Sequence, residues 1–180
     1  MARQTPSSHQ YRHQSGVALI VALIMVVIMS LIGLTGVRMI FQEEKMAAYS
    51  YDRTLTFQSA EAALREAENG IDQVKPEPVA GACSTFASGI FSVRACPPPV
   101  AGAATPRWLD NTFTGWANAT AVGSGTLSIT PQYFVEYLGS GFPCGLDPSA
   151  PPVCKRYRVT ARAGGNGRSE VMVQSLYASD

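Results

Sequence analysis

Histidine is almost absent from this 180-residue chain: its two copies, His9 and His13, both precede residue 17. A chain cut after that point would have none, which removes histidine triads, imidazole general bases and imidazole metal ligands together. Lysine- or carboxylate-based chemistry stays open in principle, but no enzymatic activity and no cofactor are expected. Strong net charge is lacking too. The chain sums to +1 from 14 basic and 13 acidic groups, and removing Arg3 and Arg12 leaves twelve against thirteen, or −1. A near-neutral body offers no basic face for nucleic acid, so no such partner is expected. Proline is missing from the front, where Pro6 alone of the twelve precedes residue 76. Cysteine is missing there as well.

What fills that proline-free front is helical. Val17 to Val37 reads VALIVALIMVVIMSLIGLTGV, 21 residues without a charge. At about 1.5 Å per residue it reaches roughly 30 Å, enough to cross the hydrocarbon core of a bilayer. Ser30 and Thr35 are tolerable there because a hydroxyl can bond back to a carbonyl one turn earlier. A buried core helix is the weaker alternative, since a small soluble domain rarely encloses a helix apolar all round. Gly33 and Gly36 each cost about 1 kcal/mol against alanine in a helix interior. Close helix–helix approach or a point of weakness would each explain them.

Residues 38–70 continue the helix as an amphipathic segment. Phe57, Ala60, Leu64, Ala67 and Ile71 step by three and four along one face, and Glu61 and Arg65 stand at i,i+4. Gly70 reads as the stop, with Pro76 and Pro78 preventing a restart. Unbroken, Val17 to Asn69 spans roughly 80 Å, more than a head of this size can cover. The uncovered half needs partners.

Residues 1–16 are polar and mildly basic, and end at Gly16 against the apolar run. They read as a disordered tail or as a leader peptide. An ordinary secretory signal is cut after its apolar region; a cut at Gly16 would keep that region on the mature chain. Residues 71–180 form the head. Proline-rich loops are expected to dominate from 75 to about 125, with Trp108, Phe113 and Trp116 packing the head rather than forming a ligand platform. Strands are expected at 132–138, 156–163 and 170–177, rich in aromatic and β-branched residues. A hairpin closing at Ala163 and Ser169 would pair Arg162 with Glu170, Thr160 with Met172 and Arg158 with Gln174. It would set Val159 against Val173 and Ala161 against Val171 on the core side. Arg156, Arg158 and Arg162 then read as a solvated face, with an anion site second.

Four cysteines, Cys83, Cys96, Cys144 and Cys154, all lie in the head. An even number in a small anchored domain suggests disulfides and an oxidising compartment. Neighbour pairing, 83–96 and 144–154, would close two proline-rich loops. A four-cysteine zinc site is the rival, without C-x₂-C spacing to support it. The positive-inside count (Arg3 and Arg12 against Arg38, Lys45 and Arg53) does not favour a cytoplasmic N-terminus. The cysteines do, by placing the head outside the cytoplasm. Calcium ligation at Asp110, Asn111 or Asp147 lacks the dense oxygen spacing of a loop site, so no metal is expected.

These residues carry a family resemblance. Gly16 followed by VALIVALIMVVIMSLIGLTG resembles the class III signal of type IV pilins. RMIFQEEKMAAY and RTLTFQSAEAALREAE resemble the PilX-type minor pilins, and YRVTARAGGNG…VMVQSLY is similar to them in placement and pattern. The likeness covers roughly 15–70 and 132–177 and is absent from 75–130. It implies an α+β pilin-like fold: a long N-terminal helix with a C-terminal antiparallel sheet packed on its second half. It implies cleavage between Gly16 and Val17 by a prepilin peptidase, with Val17 as an N-methylated new terminus. It implies an inner-membrane precursor with a periplasmic head, later extracted into a pilus by an inner-membrane assembly platform. Its partners would be the major pilin, other minor pilins and a PilY-type tip adhesin, and its role the priming of assembly.

One position departs from the major-pilin pattern. The fifth mature residue, a glutamate there, is Val21 here. That glutamate neutralises a neighbour's terminal amine, and a charged amine is costly in lipid without a partner. A subunit lacking it suits the end of a filament with nothing ahead of it. The K-type minor pseudopilins of type II secretion also lack this glutamate but have larger heads. An adhesive module on a pilin anchor, presenting the 144–154 loop CGLDPSAPPVC, is a further alternative.

Overall fold

The computed structural model describes residues 15–180 apart from 80, 101, 103–104, 145–152 and 166. Most of the proposed leader, and Asp147 with most of the 144–154 loop, lie outside the described residues. One helix, α1 (Ser15–Val74), is followed by six strands: β1 (Ser84–Ser88), β2 (Phe91–Cys96), β3 (Ala117–Asn118), β4 (Gln132–Phe142), β5 (Cys154–Gly165) and β6 (Arg168–Ser179). The chain separates into two compact units, one ending at Ala47 and one from Ala48 to Asp180.

In the first unit every described side chain from Gly16 onward is exposed. Its apolar stretch reaches a mean hydropathy of 3.1 over an 18-residue window. The hydroxyls of Ser30 and Thr35 donate to the carbonyls of Val26 (2.7 Å) and Ile32 (2.8 Å), as one-turn back-bonding requires. Apart from the adjoining helix backbone, no atom of the described residues lies within 4 Å of where a Cβ would stand on Gly33 or Gly36.

In the second unit the later turns of α1 supply Ala60, Ala63, Leu64, Ala67 and Ile71 to the core. Phe57, expected in that stripe, is instead 47% exposed. The inner face runs through Thr56 and Ser59, both fully buried, whose hydroxyls donate to the carbonyls of Asp52 and Leu55 at 2.8 Å. Back-bonding satisfies the hydroxyls, so two polar residues pass as core. Among the described residues Glu61 and Arg65 make no ion pair.

Gly70 does not stop the helix. It allows close approach to β2: an added Cβ would stand 3.2 Å from the Ser92 carbonyl oxygen and 3.3 Å from the Val93 Cβ. The helix runs one more turn and ends where Lys75 adopts φ +45°, its amide donating to the Ile71 carbonyl at 2.7 Å. Pro76 follows, which cannot continue the helix.

The sheet order is β1-β2-β4-β5-β6, with β3 beside β4. It is mixed rather than purely antiparallel, because β2 runs parallel to β4 at Ala95↔Val135 and Cys96↔Glu136. A parallel neighbour needs a long crossover, and residues 97–131 supply it. Strands β1 and β2 fall where loops were expected. Nearly half of their sequence, STFASGIFSVRAC, is serine, alanine or glycine, and it turns at Gly89 with φ +61°.

The hairpin β5–β6 keeps the expected faces and shifts by two residues. Thr160 pairs with Gln174, Ala161 with Val173 and Ala163 with Val171. The strands continue past Ala163 through a bulge to Gly165↔Arg168, using φ +111° at Gly164 and +87° at Gly165. A two-residue slip leaves each side chain on its own face. Tyr157, Val159, Ala161 and Ala163 are therefore buried toward the helix, with Val93, Ala95, Tyr133 and Val135.

Candidate functional site

Three places carry features that packing alone does not explain: the exposed apolar half of α1, the outer face of the sheet, and the β6 edge. Gly16, Val17 and Val21 all fall in the first of these, on helical backbone. Val17 is 62% and Val21 50% exposed, and the run of exposed large apolar side chains continues to Phe41. Exposed patches of that extent mark a membrane or protein contact. No charged side chain lies between Gly16 and Arg38, so this stretch offers almost entirely apolar contact.

The outer face of β4 and β5 differs from expectation. Cross-strand neighbours there are Gln132 with Arg162, Phe134 with Thr160 and Glu136 with Arg158. The Glu136 side chain is 1% exposed and bridges two arginines. Arg107 Nη1 donates to its Oε1 at 2.7 Å, and Arg158 Nε donates to its Oε2 at 2.7 Å. Arg107 also donates to the Pro97 carbonyl at 2.9 Å, which ties down the start of the crossover. Arg158 and Arg162 of β5 are thus partly covered rather than freely solvated, while Arg156 stays exposed as expected. Arg158 lies over Trp108 at 4.4 Å from the ring centre, Arg162 over Trp116 at 4.0 Å and Arg156 over Phe142 at 4.7 Å. Phe113 and Trp116 meet Phe134 edge-on at 4.7 and 4.8 Å, so these aromatics pack the head as expected.

The sulfurs of Cys83 and Cys96, and of Cys144 and Cys154, are joined as disulfides. No thiolate is left for the zinc alternative. Among the described residues no group of histidine, cysteine and carboxylate side chains is arranged to hold a metal. Asp110 accepts from the Thr112 hydroxyl and amide at 2.7 and 2.8 Å, which lowers its pKa and marks a turn rather than an ion site.

Along β6, α1 presents a row of carboxylates. Asp52 accepts from the Ser169 amide at 2.8 Å, Glu68 from the Ser175 hydroxyl at 2.7 Å and Asp72 from the Tyr177 hydroxyl at 2.6 Å. The bond to Asp72, with lesser help from burial and nearby acids, pushes the Tyr177 pKa up to about 12. The Tyr133 and Tyr157 hydroxyls are also pushed up, chiefly by burial.

A long helix with an uncovered apolar first half, followed by a disulfide-closed sheet packed on its last turns, defines a type IV pilin-like fold. The PilX N-terminal family model matches residues 15–65, and that of the type IV pilus assembly protein PilX C-terminal region matches 72–179. The chain belongs to the PilX family and is a type IV pilus minor pilin, with one apolar helix suited to membrane anchoring. The second match includes 75–130, where sequence reading found no likeness. No curated protein and no solved structure matches the chain.

Proposed function

We propose that this minor pilin primes assembly of the type IV pilus and occupies the tip end of the filament, together with other minor pilins and a PilY-type adhesin. The observation that carries this is Val21, an exposed apolar residue where a shaft subunit has a glutamate. Without a carboxylate it cannot neutralise the terminal amine of a subunit ahead, and the first subunit has none ahead. Prepilin peptidase cuts between Gly16 and Val17. The precursor stays in the inner membrane with its head in the periplasm, the compartment suited to its two disulfides.

The test is a strain lacking this protein, scored for surface pili with retraction active and with retraction switched off. Few pili in the first background and many in the second are expected. Normal piliation in the first, or none in the second, would sink the priming role. Replacing residues 145–153 with a glycine–serine segment of equal length tests the adhesive alternative. Lost adhesion at normal piliation would favour that alternative.

A further inference from the structure

β6 is the last strand of the sheet, and among the described residues its outer side has no neighbouring strand. It runs 12 residues, with no proline and no lysine, and its one register irregularity sits at the hairpin end. Soluble domains protect such edges with charges, prolines or bulges, because unpaired amides and carbonyls invite another strand. Here the protection is confined to the start, where Asp52 takes the Ser169 amide and Arg168 donates to the Thr126 and Leu127 carbonyls. From Val171 to Tyr177 no backbone group bonds outward among the described residues.

The two faces of this edge differ in chemistry. Met172 and Leu176 lie on the outer face, 38% and 76% exposed. Ser175 and Tyr177 lie on the helix side, against Glu68 and Asp72. Each carboxylate meets one neutral hydroxyl, and neither forms an ion pair among the described residues. The helix side of the edge is therefore acidic and uncompensated.

We infer that the β6 edge is a docking site for an extended strand of a different polypeptide, one that alternates apolar and basic residues. Main-chain pairing along Val171–Tyr177 supplies the attachment. Cross-strand neighbours share a face, so the added strand's apolar residues sit beside Met172 and Leu176 and its basic residues face Glu68 and Asp72. A second copy of this chain is the wrong occupant. Pairing two β6 edges into one continuous sheet puts both acidic rows on the same face, where like charges repel.

The site is independent of Val21, so its failure would leave the priming role untouched. The test uses the full chain in an uncharged detergent and two labelled nine-residue peptides, alternating valine with lysine or valine with glutamate. Binding is read by fluorescence anisotropy and mapped by amide hydrogen exchange. The lysine peptide is expected to saturate, slow exchange at alternate amides of Val171–Tyr177 and bind at least tenfold tighter than the glutamate peptide. Leu176→Lys should weaken it several-fold, and Val173→Pro should abolish it. Because a proline can unfold the strand, Glu68→Gln with Asp72→Asn gives a second reading: a retained fold and a lost preference for lysine. Equal affinity for both peptides, protection away from β6, or no protection at millimolar peptide would overturn the assignment.

Discussion

At the scale of single residues, Glu136 is the most consequential position in the head. Its carboxylate is almost fully buried, and two arginines with 22% exposed side chains depend on it. Removing one partner of a buried ionic group leaves the others uncompensated and costs about 3–5 kcal/mol. Glu136→Ala is expected at the lower end of that range, because the arginines keep some water. The loss would read as a fall in the denaturant midpoint of the purified chain. Nothing in the sequence announced this triad, because Arg107 and Glu136 come together only through the crossover. Gly70 teaches a related lesson. Its position after Asn69 suggests a stop, yet its missing side chain serves contact with β2. Gly70→Ala gains about 1 kcal/mol of helix propensity, but the methyl would stand 3.2 Å from the Ser92 carbonyl oxygen and 3.3 Å from the Val93 Cβ of β2. A net loss of stability is expected, and a raised melting temperature would refute the close-packing role.

At the scale of elements, β6 and the β1–β2 hairpin behave differently. The fold favours the protonated form of Tyr177, whose pKa stands near 12 against the ordinary 10. Its stabilisation is complete below pH 10 and is lost as pH rises from 10 to 12. Tyr177→Phe should flatten that part of the stability profile in urea titrations at stepped pH, while leaving the neutral-pH slope alone. The β1–β2 hairpin meets β4 through two register pairs and is closed on itself by Cys83–Cys96, 13 residues apart. Opening that disulfide by Cys83→Ser with Cys96→Ser is expected to cost about 2–3 kcal/mol and to speed amide exchange in β1 and β2 before β4–β6. The long strands were legible because aromatic and branched residues alternate along them. Their register was not, because Gly164 and Gly165 look like turn residues and prove to be strand. The hairpin β1–β2 was missed because serine, alanine and glycine carry little strand preference of their own.

At the scale of the whole molecule, the apolar run and the family were readable directly, since 21 uncharged residues ahead of an amphipathic helix admit few designs. The 97–131 crossover was not, because its order comes from distant partners such as Glu136 and Phe134 rather than from local pattern. What the molecule does as a subunit then turns on how its exposed helix meets other subunits. On the proposed tip role, Val21 is apolar because no terminal amine lies ahead to be neutralised. Val21→Glu would place a carboxylate in the lipid phase with no cation to meet, an unfavourable burial. Where a subunit does lie ahead, the same carboxylate would meet that subunit's terminal amine. The variant is therefore expected to initiate poorly and to enter the shaft more readily. Surface pili should become fewer, and the ratio of this subunit to major pilin in sheared pili should rise. Peptidase processing at Gly16–Val17, followed by mass of the mature chain, separates this outcome from a failure of maturation. If pilus number and subunit ratio both stay at wild-type levels while processing is normal, the missing glutamate has no part in tip placement.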